Sequence, residues 1–306
     1  MNAVEIKNLS KIYDGGKAAV KGIDLTLKRG EVFGFLGPNG AGKTTTVKLL
    51  NGILSPSEGD IQVFGIDPTV DALRLREISG VVTEHAGMYG HLTGLQNLLF
   101  YGEVFGLSKS ECMNRALELL EKLGLMDAKD MKLEAYSTGM RQRLSLARAL
   151  IHAPKILFLD EPTSGLDPEN AQLVNGMIKQ LAQEGCTIFL CTHQLRYAQE
   201  ICTSYGLIDE GELLALGTLS ELRAQISSYL TVRIKTDLFP KGYSAREAAT
   251  QTYELEVPAE KDISKLVSDI VTSGGNVYQV QTREIGLEEI YFAMMERKKG
   301  GRRDGR

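Results

Sequence analysis

Three short apolar runs stand out along the first two thirds of the chain, and each ends abruptly in polar residues: EVFGFL at Glu31 to Leu36, the ILFL of KILFLDE, and the IFL of CTIFLCTH. The first passes through a glycine-rich loop into a helix-like stretch that Gly52 can close. Unbroken apolar strands separated by helical stretches predict a largely parallel sheet with helices on both faces. Ligands of such sheets sit at the carboxyl ends of the strands, so the polar ends of these runs are expected to converge on one site.

The pattern changes twice. Between about residues 85 and 152 there is little strand character, and Thr93 to Gln96 and Ser108 to Glu111 both have capping-box spacing. The second box predicts a helix with Met113, Ala116, Leu117, Leu120 and Leu123 inward and Gly124 as its stop. This stretch reads as a helical subdomain inserted into the α/β core. It ends on YSTGMRQRLSLARAL, an amphipathic helix with Leu144, Ala147 and Ile151 inward, whose first turn at Ser137, Thr138 and Gly139 is nearly bare of side chains. A helix start of that kind is either a simple Ser cap or an anion site. From about residue 226, YLTVRIKT, TYELEVP and NVYQVQTRE read as strands, and DISKLVSDIVTSGG and LEEIYFAMMERK as helices. The expected layout is therefore an α/β domain over 1–225, a small α+β domain over 226–297 and a disordered basic tail over 298–306. A contact with anionic lipid is the sharper reading of that tail.

Composition narrows the function classes. At 306 residues, with 43% hydrophobic and 24% charged residues, the chain has ample core and no disorder signature. A net charge of -4 gives no hint of nucleic-acid binding. The start MNAVEIKNLSKIYDGG lacks the features of a signal peptide, and no later run approaches 18 uninterrupted apolar residues, which predicts a cytoplasmic chain that crosses no membrane by itself. Cys112, Cys186, Cys191 and Cys202 form no C-x-x-C pair and read as reduced, buried thiols; a metal shared by Cys191 and His193 lacks a second pair of ligands.

The chemistry begins at Gly37, Pro38, Asn39, Gly40, Ala41, Gly42, Lys43 and Thr44, which satisfy G-x-x-x-x-G-K-[ST] between a strand and a helix, with Thr45 following. Such a loop lets backbone N–H groups curl around phosphate oxygens, with Lys43 spreading charge over the β and γ phosphates and Thr44 reaching magnesium. Asp160 and Glu161 end the KILFL run. Asp160 is placed to partner the magnesium, and Glu161 to accept from the water that attacks the γ-phosphate.

Together these segments resemble the ATP-binding subunit of an ABC transporter over about residues 3–222. GPNGAGKT and KILFLDE resemble Walker A and Walker B, YSTGM the LSGGQ signature, SGLD at 164–167 the D-loop, and His193 the switch histidine. The resemblance implies a P-loop α/β fold and ATP hydrolysis with magnesium. It also implies that Tyr13 stacks on adenine, with core packing the alternative, and that Glu84 stands where a glutamine usually contacts the metal. Two such domains face each other head to tail in the family, so Ser137 and Gly139 would serve ATP bound to a second copy, making a homodimer the expected unit. Thr138 and Met140 depart from the signature's usual glycine and glutamine, which implies slower or asymmetric turnover.

The segment TEHAGMYGHLTGLQNL and the α+β tail resemble exporters of the drug and antibiotic resistance type, whose integral membrane permease is a separate chain. Met88, Tyr89 and Phe100 are the candidates for docking that permease, which would hold this subunit on the cytoplasmic face. Packing inside the helical subdomain is the alternative role for the three. The competing class is a soluble ABC ATPase of DNA maintenance or translation, which usually carries a long coiled-coil insertion or a second ATP-binding domain in the same chain.

Overall fold

A computed structural model of the protein describes residues 1–83, 87–226 and 230–301. The chain separates into two compact units, Met1–Thr218 and a second beginning at Leu219. The first opens with β1 (Asn2–Ile12), β2 (Ala18–Lys28), β3 (Val32–Leu36), α1 (Lys43–Leu50), β4 (Glu58–Val63), α2 (Ala72–Ile78) and β5 (Ser79–Val82). Three helices follow, α3 (Gly94–Val104), α4 (Lys109–Lys122) and α5 (Thr138–Leu150). It closes with β6 (Ile156–Asp160), α6 (Pro168–Gln183), β7 (Thr187–Thr192), α7 (Leu195–Ile201), β8 (Ser204–Asp209) and β9 (Glu212–Gly217).

The six-stranded sheet has the order β5-β6-β7-β3-β8-β9, parallel except for the β8–β9 pair. The three apolar runs are its neighbouring central strands β6, β7 and β3, all buried along their length. Because they run side by side in the same direction, their carboxyl ends open at one edge of the unit. Phe33, Phe158 and Phe189 lock the sheet from one face, with Phe189 5.3 Å from Phe33 and 5.9 Å from Phe158. A second, antiparallel sheet of order β2-β1-β4 contributes Val4, Ile6, Leu9, Ile23 and Leu25 to the same core, which also takes in Val47 and Leu50 of α1. The sheet-to-sheet layer is absent from the sequence-based expectation, because β1 and β2 alternate imperfectly and several bulges interrupt their pairing.

Both capping boxes form. Thr93 Oγ1 accepts from Gln96 N–H at 3.1 Å while Gln96 Oε1 accepts from Thr93 N–H at 2.9 Å, and Ser108 and Glu111 repeat the exchange. The inward face of α4 differs from the expected one. Cys112, Ala116, Leu119, Leu120 and Leu123 are buried, whereas Met113 is exposed and Leu117 only partly covered. The buried set follows i, i+4, i+7, i+8 and i+11 from Cys112, so one small thiol, not the larger thioether, sets the phase of the helix.

The second unit runs α8 (Leu219–Ile226), β10 (Leu230–Thr236), β11 (Arg246–Ala249), β12 (Thr252–Val257), α9 (Glu260–Thr272), β13 (Val277–Arg283) and α10 (Leu287–Gly301). Its antiparallel sheet has the order β11-β12-β10-β13, and Leu266 and Ile270 of α9 pack on Val232, Ile234, Leu255 and Val257. The short strand β11 has no counterpart in the apolar pattern, since REAA carries no strand signal.

Candidate functional site

The loop from Gly37 to Gly42 joins β3 to α1, and two of its glycines leave no room for a side chain. A Cβ on Gly37 would stand 2.1 Å from the Ile208 carbonyl oxygen, and one on Gly42, at φ 109°, would stand 2.4 Å from that of Ala19. Gly40, also left-handed, faces open space. α1 begins with no side-chain cap and no acidic residue in its first turn, so its N–H groups and dipole are offered to an anion. Lys43, only 5% exposed, folds back over the loop and donates to the carbonyls of Gly37 at 2.7 Å and Pro38 at 3.1 Å. Thr44 Oγ1 donates to Asp160 Oδ2 at 2.8 Å, so β6 delivers a carboxylate to the first turn of α1. A hydroxyl and a carboxylate at this spacing are hard oxygen donors, the type magnesium takes alongside phosphate oxygens. Among the described residues no cluster of three or more His, Cys, Asp or Glu forms a separate metal site.

Glu161 follows Asp160 with φ 50°, a left-handed backbone for a residue with a long side chain. Its N–H reaches the Cys191 carbonyl at 2.9 Å, which carries the β6–β7 pairing one residue past the strand. The carboxylate is gripped by the end of β7: Oε2 accepts from Thr192 Oγ1 at 2.8 Å, and Oε1 from His193 N–H at 2.9 Å and His193 Nδ1 at 2.7 Å. Because a carboxylate only accepts, Nδ1 is the donor in that contact. Beneath this layer Cys191 is wholly enclosed, and burial pushes its thiol well above the ordinary range, keeping it protonated and inert.

A cavity of about 230 Å³ lies over these groups, with Asn39, Gly40, Lys43, Thr44, Asp160 and Glu161 on its floor and Tyr13, Lys17 and Thr45 on its rim. Tyr13 is 38% exposed, its hydroxyl 3.3 Å from Thr45 Oγ1, so its ring is not spent on the core.

Ser137 and Gly139 lie outside this cavity. Ser137 caps α5, its Oγ accepting from Met140 N–H at 3.2 Å, and both Ser137 and Thr138 are exposed. The turn before α6 leans on this helix start, with Leu166 and Asn170 closest to Gly139 and Gly165 beside Thr138. Glu84 lies outside the described residues.

The segments flanking Glu84 are held by groups that the sequence pattern did not single out. Arg148 of α5 donates to the carbonyls of Val81 and Gly87, and its guanidinium sits 5.2 Å over the Tyr101 ring. Asn97, fully buried, accepts from Tyr89 N–H at 2.9 Å and donates to the Tyr89 and Thr93 carbonyls at 3.0 Å. Tyr89 and Phe100 are exposed and meet edge to face at 5.1 Å, outside the 720 Å³ opening beside them, and Met88 is partly covered. The large opening is next to them. About 720 Å³ in volume, it is bounded by Ile53, Leu73, Arg76, Tyr101, Val104, Phe105, Arg148 and His152. Ile53, Leu73, Val104 and Phe105 are exposed, and the His152 ring stacks on Phe105 at 3.8 Å.

The ABC transporter family profile matches residues 20–164, which include the phosphate loop, the bare helix start and the paired carboxylates. The linearmycin resistance ATP-binding protein LnrL of Bacillus subtilis is 32% identical over 96% of this chain and 98% of its own length. The chain belongs to the ABC transporter family of ATP-binding proteins. The bacitracin transport ATP-binding protein BcrA of Bacillus licheniformis is likewise 32% identical, over 95% of this chain and 97% of its own. Among solved structures, a dimeric ATP-binding cassette in a post-hydrolysis state with ADP and phosphate superposes with a TM-score of 0.65 at 28% identity, covering 70% of this chain and 98% of that one. The ABC fold expected from the sequence is thus present, and the protein is an ATPase that binds ATP with magnesium. No helix among the described residues is long and apolar enough to cross a membrane.

Proposed function

We propose that this ATPase drives a separate integral membrane permease that exports a drug- or antibiotic-like compound, acting as a homodimer on the cytoplasmic face of the membrane. The names of LnrL and BcrA, relatives along nearly their whole lengths, support the export reading over an ATPase of DNA maintenance or translation. Magnesium held by Thr44 and Asp160, with Glu84 as the third assigned ligand, would draw charge from the β and γ phosphates. Lys43 and the loop N–H groups of Gly37 to Thr45 bind those phosphates, and Tyr13 stacks on the base. Glu161 accepts the proton of the attacking water, and His193 and Thr192 hold its carboxylate in place. The 720 Å³ cavity, with its exposed apolar rim, seats the permease.

One observation carries the dimer. The α1 loop and the exposed start of α5, capped only by Ser137, do not share a cavity, which supports a reading in which the second serves a nucleotide held by another copy. Mixing Ser137→Arg chains with Lys43→Ala chains gives each heterodimer one composite site free of both changes. Partial recovery of ATPase activity on mixing is expected, and full activity in the Ser137→Arg homodimer would sink the composite site.

A further inference from the structure

The phosphate loop has a support that comes from far along the chain. β8 and β9 are joined by a two-residue turn, Glu210 and Gly211, with φ 50° and 81°. Both are left-handed, which is what so tight a turn asks of its residues when the strands it joins are twisted. Glu210 is exposed, but Gly211 is buried and bonded on both sides. Its N–H donates to the Ala41 carbonyl of the phosphate loop at 2.9 Å, and its carbonyl accepts from Lys21 N–H of β2 at 2.9 Å. Nothing larger fits. A Cβ on Gly211 would stand 2.8 Å from the Ala19 carbonyl oxygen, the same atom that excludes a side chain from Gly42.

We infer that Gly211 is a positioning residue for the triphosphate of ATP. A peptide group is planar and trans, so its C=O and its N–H point in opposite directions. Holding the Ala41 carbonyl toward Gly211 therefore turns the next N–H, that of Gly42, the other way. Gly42 lines the 230 Å³ cavity and Gly211 does not. Among the described residues nothing in the chain accepts from the Gly42 N–H, so it is left for an anion. Were this one peptide reversed, its carbonyl oxygen would face the phosphates and repel them. The turn thus fixes the sign of the charge that the middle of the loop presents, from 170 residues further along the chain. This role for Gly211 rests on the assignment of Gly37 to Thr45 as the phosphate loop.

The full chain, isotope-labelled at its glycine amides and free of nucleotide, tests it with magnesium and inorganic triphosphate as the probe. The Gly211 amide should be protected from solvent exchange before any ligand is added, and the Gly42 amide resonance should shift when triphosphate binds. Gly211→Ala forces the turn away from Ala19. With one donor to a charged group misaligned, ATP and triphosphate should both bind about tenfold or more weakly, at a temperature well below melting. A turn that served stability alone would lower the melting temperature and leave both affinities where they were. Glu210→Gly keeps the Gly211 amide and the left-handed backbone, so both affinities should stay within about twofold of the unmodified chain. If no amide of the loop responds to triphosphate, the phosphate-loop assignment falls and the role of Gly211 with it. If Gly42 responds but Gly211→Ala binds both ligands normally, or if the Gly211 amide exchanges freely, the role of Gly211 alone is overturned. Where Gly211→Ala does not fold, exchange at Gly211 in the unmodified chain decides.

Discussion

In the nucleotide pocket the groups that matter are backbone N–H groups and short polar side chains from the ends of β3, β6 and β7, which the sheet brings together whatever surrounds it. The apolar cavity borrows two or three residues apiece from the turn after α1 and from α2, β5, α3 and α5, elements brought together by their packing and by Arg148. The first arrangement is built from short segments that the parallel sheet joins across long stretches of sequence; the second depends on how the helical stretch packs. A ligand recognised by backbone calls for a fixed loop, whereas a protein partner calls for a surface assembled from parts that can shift. Arg148 and Tyr101 line the cavity and also grip the Gly87 carbonyl, three positions along the sequence from Glu84, the residue proposed for the metal.

The contrast is open to attack at three points. The largest effect is expected at Glu161→Gln, which keeps the shape and hydrogen-bonding size of the side chain but removes the base. Turnover should fall on the order of a hundredfold or more while ATP binding by titration stays intact, and near-normal turnover would remove the assignment. Next comes the cavity. Leu73 is exposed on α2, so Leu73→Asp leaves folding alone and puts a charge on the apolar rim. Association with permease-containing membranes should weaken about tenfold or more, with basal ATP hydrolysis unchanged. Unchanged association would move the docking surface back to Tyr89 and Phe100.

The smallest effect concerns pH. Burial lowers the His152 pKa from its ordinary 6.5, with the hydrogen bond to the Ser79 carbonyl opposing in part. A histidine depressed in the folded state favours folding above the unfolded value and loses that contribution as pH falls through the folded one. Melting temperature should therefore drop more between pH 7.5 and 5.5 in the unmodified chain than in His152→Gln, by about a few degrees. Equal slopes would show that the cavity floor is wet and not sealed by Phe105.

What could be read in advance follows the same division. The phosphate loop, the DE pair and both capping boxes are encoded by neighbours in sequence; the loop and the boxes take the backbone geometry their residue types favour, while Glu161 takes a left-handed one that its residue type disfavours. Asn97, Arg148 and the Ile53, Leu73 and Phe105 rim were not legible. The hydrogen-bond partners of Asn97 and Arg148 lie between 4 and 67 residues away, and no periodicity marks a residue whose job is to meet such a carbonyl. Met113 and Leu117 were misplaced for a related reason: a hydrophobic stripe gives the pitch of a helix but leaves its rotation to whatever it packs against.

The left-handed backbone of Glu161 bears on how such a chain changes over generations. The residues that best tolerate φ near 50° are glycine, with asparagine and aspartate next, and most others incur about 1–2 kcal/mol of steric cost. Of these only aspartate carries a carboxylate, and its side chain is one methylene shorter than the one that reaches Thr192 and His193. Mutation that is filtered for a sound backbone alone would thus drift this position away from glutamate, toward chains that still fold and still hold nucleotide without cleaving it. A glutamate kept against that drift is the mark of a lineage selected for turnover.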